Sequence, residues 1–175
     1  MGRVEIGIGI VAAVLLFWTV GAYNRLVRLR NAIVGSFAPV DEQFSLRHTL
    51  LQEQLEAVGT ALSQAAQRLE ALHAAILQTD MARAHARAHP GAPGAIRSLR
   101  LADEILAEAR ARLPIPAMAG SGLSELQARL AASDTALAFA RNGFNAAVLD
   151  YNRAIGQIPT RAIARLFGFA PAGTL

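Results

Sequence analysis

The chain has 175 residues, seventeen basic and thirteen acidic, a net charge of +4 and no cysteine. The missing cysteine excludes disulfides and thiol chemistry, and the length suits one domain beside an anchor. Every basic residue is arginine, but no dense basic block follows Arg30 and no nucleic-acid-binding module is recognisable, so nucleic acid is not an expected partner.

Residues 6–22, IGIGIVAAVLLFWTVGA, carry no charge. As a helix they would span roughly 26 Å at about 1.5 Å per residue. That is the short end for a hydrocarbon core of about 30 Å. Phe17, Trp18 and Tyr23 stand near the C-terminal edge, where interfacial aromatic anchors belong. The expectation is a retained transmembrane anchor touching lipid through residues 6–22. A cleaved signal peptide is the main rival reading, with Gly21 at −2 and Val20 at −3 of a cut after Ala22. Arg25, Arg28 and Arg30 follow the apolar run, and positive-inside bias puts that side in the cytoplasm.

Beyond the anchor, Leu26, Arg30, Ile33, Phe37, Val40 and Phe44 recur at spacings of three and four, the stripe of a packed helix. Gly35 and Pro39 interrupt it. A kink or break is expected near residues 37–38, with Ser36 capping a restarted helix. The stripe resumes through Leu51, Leu55, Val58, Leu62, Ala65, Leu69, Leu72 and Ile76 as a heptad-like seam that Gly59 weakens without breaking. An antiparallel helix within one bundle and a homotypic coiled coil both fit, so a homo-oligomer stays open. Residues 85–94, HARAHPGAPG, read as a loop. A helix over about 95–113 follows, then a second loop over 113–122. A last long helix, with Ser121 or Ser124 at its cap, presents Leu126, Leu130, Leu137, Phe144 and Tyr151. Pro159 stops it, and Thr160 is placed to cap a short final helix. The fold class is all-α: an N-terminal transmembrane helix, then an antiparallel up-and-down bundle of three to four long helices.

Catalytic constellations are missing. His48 and His73 lie on or near helical seams. His85 and His89 are four apart, with only Asp80 near as a further ligand, too little for a metal site. The Asp-Glu pairs at 41–42 and 103–104 lack the Glu-x-x-His partners of a di-iron bundle. Asp134, Arg141 and Asp150 suit a polar network across the bundle rather than a reaction. No catalytic, cofactor-binding or metal-binding residue is assigned, and no cofactor is expected.

Three blocks carry a family resemblance. Residues 23–31, YNRLVRLRN, follow the anchor, and Asp41, Gln43, Arg47 and His48 continue the pattern, with Phe44 in place of a leucine. Residues 138–155, AFARNGFNAAVLDYNRAI, supply Ala140, Arg141, Asn145, Ala147, Val148, Tyr151 and Asn152. Pro159 and residues 164–169, ARLFGF, close the series. In order and spacing these blocks resemble the LemA family of bacterial membrane-anchored helical proteins. The chain departs from the family at residues 50–55, LLQEQL, where members usually have an Ile-Pro-Asn-Leu run, and at Gly143, where an aromatic is common.

The resemblance implies a bacterial inner-membrane location, a single span, a cytoplasmic bundle and no established enzyme activity. It divides the chain into a tail and anchor over 1–22, a bundle over 23–169 and a flexible tail over 170–175. The closing segment offers Ile163, Leu166, Phe167 and Phe169 beside Arg161 and Arg165, either for docking on the bundle or for contact with lipid or a partner. The expected function is that of a non-enzymatic structural or interaction protein with a membrane-associated protein partner. The alternative is a regulatory accessory protein that couples a membrane state to a cytoplasmic partner. Tyr23, Asn24, Arg28 and Asn31 are candidate contacts at the membrane edge. Asn145, Tyr151 and Asn152 are candidates because polar groups on a packed helix need partners.

Overall fold

A computed structural model describes residues 2–59, 66–113 and 121–175. Among them are five helices and no strand: α1 (Arg3–Gly59), α2 (Ala66–Ala88), α3 (Pro93–Ala111), α4 (Ser121–Gly156) and α5 (Thr160–Leu166).

Helix α1 runs 57 residues without interruption, from the apolar segment into the heart of the bundle. The break expected near residues 37–38 does not occur. Pro39 removes one amide donor and its ring crowds the carbonyl four residues back, which belongs to Gly35. Both residues face outward, where water can take up the freed carbonyl. Phe37 and Val40, buried on either side of the proline, pin the helix to the core. Ser36 caps nothing; its hydroxyl donates to the Ile33 carbonyl within the same helix.

The seam read as continuous through Gly59 belongs to two helices. Gly59 is the last residue of α1, residues 60–65 lie outside the described part, and α2 runs back antiparallel. The Arg83–Asp41 ion pair and a shared cluster of Leu50, Leu51, Val58, Leu72 and Ile76 fix that direction.

The loop expected over 85–94 shrinks to residues 89–92. Helix α2 continues through His85 to Ala88, and α3 begins at Pro93. Proline suits the first helical turn because its missing N–H would have no partner there. The His89 carbonyl accepts from the Ala92 amide at 3.0 Å, closing the turn. Helix α3 packs along α2, where the Thr79 hydroxyl lies 2.8 Å from the Ala75 carbonyl and 3.2 Å from that of Ala102. Of the second expected loop, residues 114–120 lie outside the described part.

Helix α4 lies antiparallel along α1. Phe37 and Phe144 meet edge to face at 5.6 Å between centroids, and Leu26 shares a cluster with Ala154. The core has three levels. The far level is the Leu50–Ile76 cluster, joined by Leu106, Leu126 and Leu130. The middle level gathers Ile33, Phe37, Val40, Phe44, Ile96, Leu99, Leu137, Phe144 and Val148. The level nearest the apolar segment holds Ala22, Leu26, Ala154, Ile163 and Ala164.

Helix α4 ends at Gly156, before Pro159. Thr160 is the first residue of α5, not its cap; Pro159 occupies the cap position. The chain then doubles back. The segment 170–175, expected as a flexible tail, is hydrogen-bonded along α4, with Ala172 buried in the middle level. A Cβ added to Gly173 would stand 2.8 Å from the Pro93 Cα, so the tail and the α2–α3 turn approach closer than a side chain there allows.

Candidate functional site

Charged groups converge in the middle of the bundle. Arg47 of α1 pairs with Asp103 of α3 and reaches Asp134 of α4 at 3.3 Å. Asp103 also holds Arg141 of α4, and Asp134 takes Arg110 of α3 at 3.0 Å. The chain Arg110–Asp134–Arg47–Asp103–Arg141 ties three helices together with one excess positive charge. Both Arg47 and Arg141 place their guanidinium carbons over the Phe44 ring, at 5.3 and 5.2 Å from its centroid. The negative ring face offsets part of that excess.

Burial is the largest influence on Arg47, whose side chain is 8% exposed. It lowers the guanidinium to about 10, opposed by the Asp134 charge and aided by Arg110 and Arg141. Arg141 is lowered for the same first reason, and Asp134 opposes the change. Arg47 therefore stays protonated at neutral pH. A base this firmly charged cannot accept a proton, and its two carboxylate partners already receive strong donors. The arrangement is built to hold helices rather than to move protons.

A second cluster joins α1 to α2. Arg83 donates to Asp41 at 2.9 Å and to Asp80 at 2.8 Å. Burial works against its charge, and the two carboxylates outweigh that and raise it. Between the clusters, Phe44, His48, Thr79 and Arg83 help line a cavity of about 10 Å³, room for one water at most. That space is too small for a substrate, whereas Arg110 and Asp134 line a separate surface cleft of about 450 Å³ with Gln54, Leu113 and Gln127.

A third polar group clamps the tail. The Asn152 amide donates to the Ala172 carbonyl and accepts from its N–H, both at 2.9 Å. Asn145 does the same for Leu175 at 2.8 and 2.9 Å. Seven residues separate the two asparagines, two helical turns, so both face the tail. The Tyr151 hydroxyl donates to the Ala170 carbonyl at 2.9 Å. Burial pushes this phenol up, with Arg30 opposing.

Asn145, Tyr151 and Asn152 are thus satisfied within the molecule. Asp134 and Arg141 do meet in one network, whereas Asp150 pairs with Arg153 on the surface. His73 is exposed. His85 and His89 place their rings 5.2 Å apart on the surface, and Asp80 is taken by Arg83. Among the described residues no group of three or more potential metal ligands gathers. Tyr23 meets Phe167 in a tilted ring contact at 5.0 Å and lies edge-on to Phe169 at 5.8 Å, while Asn24, Arg28 and Asn31 stay exposed.

The apolar segment stands outside all of this. Its side chains from Ile6 to Phe17 are 57 to 78% exposed where large and hydrophobic. An 18-residue window there has a mean hydropathy of 2.1 and none of it is buried. This is one helix long and apolar enough to cross a membrane, continuous with an all-α bundle. The LemA family model matches residues 36–175. The chain belongs to the LemA family. No curated protein matches it. The matched span begins past the apolar segment and takes in α2 to α5 with the part of α1 beyond Gly35, so the family assignment and the anchor rest on separate stretches of this LemA-family chain.

The sequence pointed to Asp134 and Arg141 but passed over Arg47, Asp103 and Arg110 as network members. A usable signal existed. Arg47 stands three residues after Phe44, and Asp103 stands four after Leu99, both on apolar stripes.

Proposed function

We propose that this LemA-family chain is a non-enzymatic structural or protein-interaction protein, anchored by residues 6–22 and presenting its bundle at a fixed orientation to the bilayer. One observation supports the reading above all: α1 is a single helix from the apolar segment to Gly59. Anchor and bundle share one backbone ladder, with no linker between them. The convergent charges are spent on one another, which leaves the outer helix faces to meet a partner. The positive-inside bias of Arg25, Arg28 and Arg30 supports a bundle on the cytoplasmic side of a bacterial inner membrane.

The test is proximity labelling from a fusion at Leu175 in native membranes, beside a chain lacking residues 1–22. A small partner set that disappears without the anchor supports the reading. Labelling no different from that of an unrelated membrane protein overturns it. The same continuity favours a second reading, in which the chain relays a membrane state to a cytoplasmic partner. That reading requires partner binding to change when the bilayer changes, at constant amounts of protein.

A further inference from the structure

We infer that the end of the bundle formed by the α4–α5 turn and α5 is a second membrane contact, a foot that rests in the headgroup layer of anionic lipid. The inference rests on the reading of residues 6–22 as a membrane span and adds a site outside that span.

Position comes first. Ala22, the last residue of the apolar run, shares a buried cluster with Ala154, Ile163 and Ala164. Tyr23 packs against Phe167 in a tilted ring contact. Helix α5 is therefore held at the level where α1 leaves the hydrocarbon. The turn at Ile158 lies beyond Ala154 in the direction of the bilayer, because α4 runs antiparallel to α1.

Chemistry comes second. Ile158 is 86% exposed, Leu166 74% and Phe167 51%. Core docking accounts for Ile163 and Phe169 and leaves Ile158 and Leu166 uncovered, with the outer side of Phe167 bare beyond its contact with Tyr23. Arg25, Arg161 and Arg165 are exposed beside them, and none of the ion pairs among the described residues involves them. Apolar side chains among unpaired arginines, level with the end of a span, match the layered chemistry of an anionic membrane surface. A soluble partner would have to fit its own apolar patch into the space the headgroups already fill. Lipid is thus the occupant that continuity and charge both favour.

The absence of native cysteine makes the test direct. Single variants Ile158→Cys, Leu166→Cys, Phe139→Cys and Val14→Cys carry an environment-sensitive fluorophore. The full chain is reconstituted in phosphatidylcholine–phosphatidylglycerol vesicles. The quencher is a phosphatidylcholine brominated near the headgroup end of its acyl chains. Phe139 is 81% exposed on α4, far from the foot, and serves as the water-facing reference. The expected result is several-fold stronger quenching at 158 and 166 than at 139. It weakens when Arg161→Glu and Arg165→Glu are combined, or when phosphatidylglycerol is omitted.

Quenching at 14 with labels at 158 and 166 as wet as that at 139 overturns the foot and leaves the anchor standing. No quenching at 14, even by a second phosphatidylcholine brominated deep in its acyl chains, overturns both. Equal quenching at 139 means general adsorption of the bundle and also overturns the foot. Helicity by circular dichroism checks each variant, and Phe167→Cys replaces any that unfolds.

Discussion

Arginine is used in opposite ways at two levels of this bundle. At mid-height, Arg47, Arg110 and Arg141 find carboxylates on neighbouring helices and shed much of their water. At the membrane end, Arg25, Arg161 and Arg165 find none and stay exposed. Phenylalanine divides the same way: Phe144 is sealed in the core, while Phe139 lies almost bare on the same helix five residues earlier. Residue type alone does not say which side chains hold the fold. What decides is whether a partner from another helix lies at the same height.

The phenylalanine pair gives the largest expected effect. Phe144→Ala should lower unfolding free energy by about 3–5 kcal/mol through loss of burial and the cavity left behind. Phe139→Ala should stay within about 0.5 kcal/mol. Chemical denaturation in detergent micelles, followed by circular dichroism, measures both. Equal losses would break the distinction between the two positions.

Next comes the arginine level. Asp103→Ala takes a carboxylate from Arg47 and Arg141 at once and leaves Arg47 buried with only Asp134. The expected cost is about 3 kcal/mol or more. Arg161→Ala should be near neutral for stability in the same assay. If Asp103→Ala proves equally mild, the mid-height network contributes nothing that a surface pair would not.

Smaller again is Asn152→Ala, which removes two hydrogen bonds to Ala172 at about 1 kcal/mol each. Faster proteolysis of the segment past residue 170 should accompany the loss. Tail cleavage no faster than in the parent chain would show that the clamp does not set its protection. At the bottom of the scale stands Asp150→Ala. It breaks an exposed pair with Arg153 and should shift stability by no more than about 0.5 kcal/mol, with any shift vanishing in high salt.

Much of the fold was readable from spacing. Leu26, Ile33, Phe37, Val40 and Phe44 face the core as their three-and-four pattern predicts. The reversal after Gly59 was not readable, because both arms of the turn point their apolar residues at one interior. A seam that faces inward before and after a turn keeps its rhythm whether or not the chain folds back. Pro39 misled in the other direction. Its local penalty is real, yet tertiary packing at Phe37 and Val40 outweighs it.

The charge network was half readable. Asp134 follows Leu130 by four and Arg141 follows Leu137 by four, so charges sit on core registers. Who pairs with whom was hidden, since the partners lie 24 to 87 residues apart. The asparagine clamp was hidden for another reason. Asn145 and Asn152 bond to main-chain groups of the tail, and main-chain groups leave no mark in a sequence.

The unbroken α1 also makes the molecule a lever. The part beyond Ala22 is about 55 Å long at about 1.5 Å per residue. A span longer than the surrounding hydrocarbon tilts, so this short run tilts where the bilayer is thinner than about 26 Å. Ten degrees of added tilt would carry the far end of α1 sideways by about 10 Å in this geometry. A change in the tilt of the span would thus appear, at Gly59, as a displacement about as wide as a helix.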